Sequence, residues 1–240
     1  TCALRSNYCK KEIKVADYID KNILSQAYIH VEPKGLDSEQ DLLVFKEHIQ
    51  KFVETRTAFY LHPDMSIKVE FEEGSLKARI TVFGAINILL QAVSSYPDLR
   101  QGVALIYGDS KRLAEYIVSE VQFSTKAKHE DVIRLEARTG IIGSLHKILS
   151  QLESIKRSAE LGVPVTEITP KIEQVHEEIE ELIRNINVND ASLIKNGIHD
   201  LSKKIPLTPK EPKDKVNLQQ DIALYRDRRR KLVGLFEKAK

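Results

Sequence analysis

Two rhythms of apolar residues run along this chain of 240 residues and divide it near its middle. Between residues 66 and 83 the alternation has period two, as expected of strands with one buried face. A two-residue turn at Glu73 and Gly74 predicts a hairpin in which Phe71 faces Leu76, Val69 faces Ala78 and Ile67 faces Ile80. The other face then holds Lys68, Glu70, Glu72, Lys77 and Arg79, with Glu70 across from Lys77 and Lys68 across from Arg79. In the second half the step changes to three and four, through Leu145, Ile148, Leu152 and Ile155, then Ile172, Val175, Ile179, Leu182 and Ile186. Two such stretches joined through Gly162 and Pro164 predict an antiparallel helical hairpin with coiled-coil-like packing.

Weaker signals fill in the rest. Residues 11–24 read as a short helix and residues 27–31 as a strand ending before Pro33. Ser38 is placed as an N-cap, with Glu39 and Asp41 in the first turn and Leu42, Phe45, Ile49 and Phe52 forming one apolar face. A buried helix is expected over residues 85–93, and Pro97 is well suited to open another that runs to about residue 123. Thr169 and Pro170 mark the start of the second hairpin helix, and Ile194, Ile198 and Leu201 continue the helical step after Asn189 and Asp190. Pro206, Pro209 and Pro212 predict an extended linker. Leu218, Ile222, Tyr225, Leu232 and Phe236 predict a last helix over residues 217–238, with Arg229 at one seam position. The fold class expected is an α+β N-terminal unit, a small sheet with a β-hairpin covered by helices, followed by an all-α, coiled-coil-like region. Its parts are a mixed α/β domain over 1–125, a helical hairpin plus short helix over 126–205, a proline-spaced linker over 206–216 and a basic helix over 217–240.

Composition supports a helix-dominated chain, since Trp is absent and aromatics make up only 6%, leaving Leu, Ile and Val to build the core. Cys2 and Cys9 offer no disulfide framework. No basic start leads into an apolar run, and no stretch approaches the roughly 20 apolar residues of a membrane span. A soluble, cytoplasmic protein is expected. The net charge of +2 conceals a gradient: −2 over residues 1–125, −3 over 126–202 and +7 over 203–240. A basic tail behind an acidic helical segment implies either an internal electrostatic match or an anionic partner.

No local pattern spells out a reaction. The chain has no Gly-rich phosphate loop, nucleophile elbow or Cys/His metal set, so no catalytic residue, cofactor or metal is assigned. His176 with Glu177 and Glu180 lacks the second histidine of a helical zinc motif and reads as a solvated acidic face. Arg138 and His146 stand too far apart for the Arg/His pair of helical ribonucleases. Lys203, Pro206 and Pro209 match the spacing of ligands for SH3 domains, but a linker accounts for them. Glu70, Glu72 and Glu73 beside Lys77 read as a solvated strand face. The strongest candidate for partner binding is Arg226, Arg228, Arg229, Arg230 and Lys231, beside Tyr225. Basic residues in succession wrap around a helix, and Tyr225 is the only ring among them. A contact with the acidic run Glu173, Glu177, Glu178, Glu180 and Glu181, or with a protein, is favoured over nucleic acid.

The hairpin strand ending near Gly84, followed by Tyr96, Leu99, Arg100 and Gly102, resembles a pattern in uncharacterised bacterial proteins. In these, Tyr, then Leu or an aromatic, then Arg and Gly open a long helix, and some belong to predicted multi-component conflict or defence systems. The resemblance spans residues 66–143 and implies no activity. The function expected is a non-enzymatic interaction or scaffold component, acting through the seam Ile172, Val175, Ile179 and Leu182 on other protein chains or on itself. The alternative is a nucleic-acid-associated protein using the basic C-terminal helix.

Overall fold

The fold is that of a computed structural model, which describes residues 22–32, 36, 38–72, 76–92, 98–213 and 216–236. Cys2, Cys9, Glu73, Gly74, Tyr96, Pro97 and most of the helix expected over 11–24 lie outside these residues. The end of that expected helix is instead strand: β1 runs Ile23–Val31, longer than the five residues anticipated. The helix α1 (Glu39–Tyr60) begins as the sequence requires, with the Asp41 amide donating to Ser38 Oγ at 3.1 Å. The strands β2 (Ser66–Glu72) and β3 (Leu76–Phe83) form the hairpin, but with partners two residues away from the tight-turn register. Phe71 pairs with Ala78, Val69 with Ile80 and Ile67 with Val82, while Leu76 pairs with Val31 of β1. A shift of two leaves every side chain on its expected face. It also places Glu70 opposite Arg79 and Glu72 opposite Lys77, removing the like-charge pair that a two-residue turn would create.

The short α2 (Ile86–Ala92) and the long α3 (Leu99–Ser124) follow, and α3 leads through a 3₁₀ turn at His129–Asp131 into β4 (Val132–Arg138). This fourth strand lies beyond residue 125, so the α/β unit extends further than the sequence boundary. In its run, Val-Ile-Arg-Leu-Glu-Ala-Arg, Ile133, Leu135 and Ala137 alternate with Arg134, Glu136 and Arg138. The sheet order is β2-β3-β1-β4 and every neighbouring pair is antiparallel. With α1 crossing from β1 to β2 and α3 from β3 to β4, this is a split βαβ connectivity. Ala27, Ile29, Val31, Ala78, Ile80 and Val82 turn one face of the sheet into the core.

The second half consists of α4 (Gly140–Leu161), α5 (Val165–Asn185), α6 (Val188–Lys203) and α7 (Gln219–Gly234). The first two form the expected helical hairpin. Its turn uses Gly162 in the left-handed region, φ 79°, where a Cβ would meet the Glu211 carbonyl oxygen at 2.7 Å. The helix α5 begins at Val165, one turn before the expected start, so Pro170 lies inside it. That earlier start is capped from a distance, because Asn217 Oδ1 accepts from the Val165 amide at 3.1 Å. The helix α2 is treated likewise, with the buried Asp190 carboxylate accepting from the Ile86 and Asn87 amides, each at 2.8 Å. Gly197 on α6 leaves room for Leu99 at the start of α3; a Cβ there would lie 2.0 Å from Leu99 Cδ2.

The proline-spaced segment is not a free linker. Lys210 donates its amide to the carbonyl of Ala159 in the last turn of α4, at 2.8 Å, and Pro209 is buried. One apolar core continues from the sheet through α4, α5 and α6 to Tyr225 and Leu232 of α7. Among the described residues no helix is long and apolar enough to cross a membrane.

Candidate interaction surfaces

The seam Ile172, Val175, Ile179 and Leu182 is fully buried, each side chain at most 2% exposed, between α4 and α7. Its apolar face is therefore covered within the chain. The basic helix is largely committed too. Tyr225 is buried, and its hydroxyl donates to the Pro206 carbonyl at 2.6 Å; burial pushes the phenol up to about 12, partly opposed by Arg229. Arg229 donates to the carbonyls of Ile205 at 2.7 Å and Lys203 at 3.0 Å, where the carbonyl end of the α6 dipole favours a cation. Arg228 pairs with Glu173 of α5, so the acidic hairpin and basic tail meet as their charges suggested. Lys231 bonds Asp227 at 2.9 Å and holds that carboxyl below its usual range. Arg226 reaches Thr208 at 3.4 Å, and Arg226, Arg230 and Lys231 face outward.

The weaker motifs are distributed in the same way. His176 lies in a small hollow of about 350 Å³ with Glu173, Glu177, Arg228 and Lys231, a balanced set of charges. Among the described residues no group of three His, Cys, Asp or Glu could hold a metal ion. Arg138 pairs with Glu136 and reaches Gln26 Oε1 at 3.3 Å, whereas His146 stacks on Tyr107 with ring centres 4.3 Å apart. Burial, aided by Arg100, lowers the His146 pKa. The proline motif is absorbed by the contacts of Pro206 and Pro209. On the hairpin, Glu72 pairs with Lys77 and Glu70 with Lys68.

One surface escaped the sequence, and another was legible only in its hairpin half. The first lies across α1 and α3, where Tyr60 stacks on Tyr116 at 5.6 Å and Phe59 meets Tyr60 edge-on at 5.0 Å. Hydrogen bonding between the two hydroxyls is the main reason the Tyr60 phenol is raised. Arg56 lies over Phe52 at 5.3 Å, and His48 joins Glu120 at 2.7 Å to tie the two helices. Phe59 is 75% exposed, Tyr116 50% and Phe123, two turns further along α3, 80%. The sequence clue was Phe45, Phe52 and Phe59 at seven-residue intervals. The buried row of α1 instead steps by four through Phe45, Ile49, Val53 and Thr57, leaving Phe59 outside.

The second surface is the sheet face turned away from the core. Its rows are Lys68-Thr81-Gln26-Arg138, Glu70-Arg79-Tyr28-Glu136 and Glu72-Lys77-His30-Arg134. Tyr28 occupies the middle, with the Arg79 and Arg134 guanidiniums 6.0 and 5.6 Å from its ring centre. Glu136 lies between Arg134 and Arg138, which hold its carboxyl low against the opposing effect of burial. No family model matches the chain, and comparison with curated proteins and with solved structures likewise returns no significant match.

Proposed function

We propose that this chain is a non-enzymatic interaction protein that assembles with a second protein chain through the aromatic surface of α1 and α3. The observation carrying this reading is the exposed pair Phe59 and Tyr116 around the half-buried Tyr60, flanked by Arg56 and Arg112. Exposed aromatics with neighbouring arginines supply much of the binding energy at protein interfaces, and contiguous apolar exposure is otherwise disfavoured on a soluble surface. This places binding on the α/β unit, since the heptad seam is used inside the fold. A second copy is the simplest partner, because paired assemblies about a two-fold axis are the commonest, and this face bears both signs of charge. A place in a multi-component defence system, where neighbouring chains serve as partners, is in keeping with the reading.

The test compares the wild type with Phe59→Ser/Tyr116→Ser by light-scattering mass and by affinity purification. Assembly above the monomer mass of 27.3 kDa, lost in the double variant, is the expected result. A monomer at every concentration overturns self-assembly. A double variant that keeps every partner of the wild type overturns the reading altogether.

A further inference from the structure

We infer that the outward face of the sheet binds single-stranded nucleic acid, with an unstacked base resting on Tyr28 between Arg79 and Arg134. This site is independent of the α1/α3 surface and of the basic C-terminal helix. Tyr28 lies on a central strand, and antiparallel pairing sets Arg79 directly beside it on β3, while Arg134 stands beside His30 on β4. Both guanidiniums lie within cation–π distance of the ring. An aromatic face bordered by guanidinium planes is a stacking platform for any base, since every base has a π-face.

Charge permits the same ligand. The Tyr28 and His30 rows carry Lys77, Arg79 and Arg134 against Glu70, Glu72 and Glu136, and the neighbouring row adds Lys68 and Arg138, so the excess of cations comes from beside the platform. Each carboxylate is already neutralised: Glu70 by Lys68, Glu72 by Lys77, and Glu136 by two arginines. Arg79 makes no carboxylate pair among the described residues, so a phosphate meets it without breaking an ion pair, and a base reaches the ring as Arg79 and Arg134 swing off it. The platform occupies the Tyr28 and His30 rows, because Thr81 and Gln26, hydrogen-bonded to each other at 3.0 Å, are buried. A duplex keeps its bases stacked inside and cannot offer one to the Tyr28 ring.

The experiment is fluorescence anisotropy of the full chain with labelled oligouridine, labelled oligothymidine and a duplex of equal length, between about 50 and about 200 mM salt. Single strands are expected to bind with affinity that falls with salt, and the uridine and thymidine arms distinguish RNA from DNA as the ligand. Tyr28→Leu should weaken binding about tenfold, whereas Tyr28→Phe, which keeps the ring, should stay within about twofold. Arg79→Ala and Arg134→Ala should each flatten the salt dependence by about 0.7 in logarithmic slope. Arg226→Ala/Arg230→Ala should change neither. No binding at low salt, a preference for duplex, or equal losses from the C-terminal variant overturns the site. If Tyr28→Leu fails to fold by circular dichroism, the exposed Arg79→Ala/Arg134→Ala pair decides, and wild-type binding by that pair overturns it.

Discussion

Replacing Asp190 tests whether remote side chains, rather than local caps, hold the helix ends. Its carboxylate accepts from the first two amides of α2, both at 2.8 Å, and is itself 2% exposed. Ile86 is equally buried, so its amide cannot turn to water once the acceptor is gone. A hydrogen bond to a charged group contributes about 1.5–3 kcal/mol, and a carboxylate at a helix N-terminus gains a further ~0.3–1 kcal/mol from the dipole. Both bonds end on one carboxylate whose own burial is unfavourable, so they do not add in full. Asp190→Ala should therefore cost about 3 kcal/mol, and Asp190→Asn, which keeps one acceptor oxygen, about half of that. Urea unfolding reads both as lower midpoints at unchanged slope. Hydrogen exchange should quicken at Ile86 and Asn87 before it does in α1. A loss under about 1 kcal/mol for Asp190→Ala, below the cost of orphaning the buried Ile86 donor and the part-buried Asn87 donor, would refute the reasoning.

Three further outcomes follow from the same packing. Gly197→Ala should destabilise by about 1–3 kcal/mol through overpacking against Leu99, and Leu99→Ala in the same chain should relieve most of it; additive losses in the double-mutant cycle would contradict this. Arg229→Ala should cost about 1.5–3 kcal/mol because the Lys203 and Ile205 carbonyls lose a charged donor, while Arg230→Ala stays within about 0.5 kcal/mol, as thermal and urea unfolding can compare. The Tyr225 phenol, at about 12 in the fold against 10.0 ordinarily, holds its proton more tightly folded than unfolded. Its contribution is complete below about pH 10 and fades as pH rises towards 12. Wild type should therefore lose stability across that window faster than Tyr225→Phe, and parallel curves would show the proton to be uninvolved.

What was legible in the sequence was whatever neighbouring residues decide between themselves. Ser38 and Asp41 announce the start of α1, and the faces of the hairpin follow from alternation alone. The helical step of α4 and α5 gives their buried rows directly. The hairpin register was missed because faces repeat every two residues, and only the loop and cross-strand charges choose among the options. The strand β4 was missed although Ile133, Leu135 and Ala137 alternate with Arg134, Glu136 and Arg138, because its partner β1 lies about a hundred residues away and no hairpin announces the pairing. The start of α5 was misplaced because its cap is remote, Asn217 serving it from 52 residues away; α2, capped by Asp190 from more than 100 residues away, still begins within a residue of the expected position. Neither candidate surface could be read from one stretch of chain. Tyr60 meets Tyr116, and Tyr28 meets Arg79 and Arg134, only through the topology of the sheet and its covering helices.

The fate of the basic tail shows why local charge is a poor guide to a ligand. Successive residues on a helix are about 100° apart, so a run of cations must divide between inward and outward directions. Here Arg228 and Arg229 turn to Glu173 and to the Lys203 and Ile205 carbonyls, while Arg226 and Arg230, one turn apart, turn outward. Of the tail's described cations, Arg228, Arg229 and Lys231 are therefore already committed within the fold, Lys231 to Asp227. Residues 1–125 are nearly neutral overall, yet they supply the exposed aromatic group on α1 and α3, and Tyr28 and Arg79 at the centre of the sheet platform. Ordering matters more than total charge on such a sheet. Alternation sends every cation of the strands to one face, and the carboxylates placed among them hold the guanidiniums and ammoniums in position. For a flat ligand to meet the Tyr28 ring, the Arg79 and Arg134 guanidiniums over it must first swing aside, a rotamer change that exposed side chains make readily.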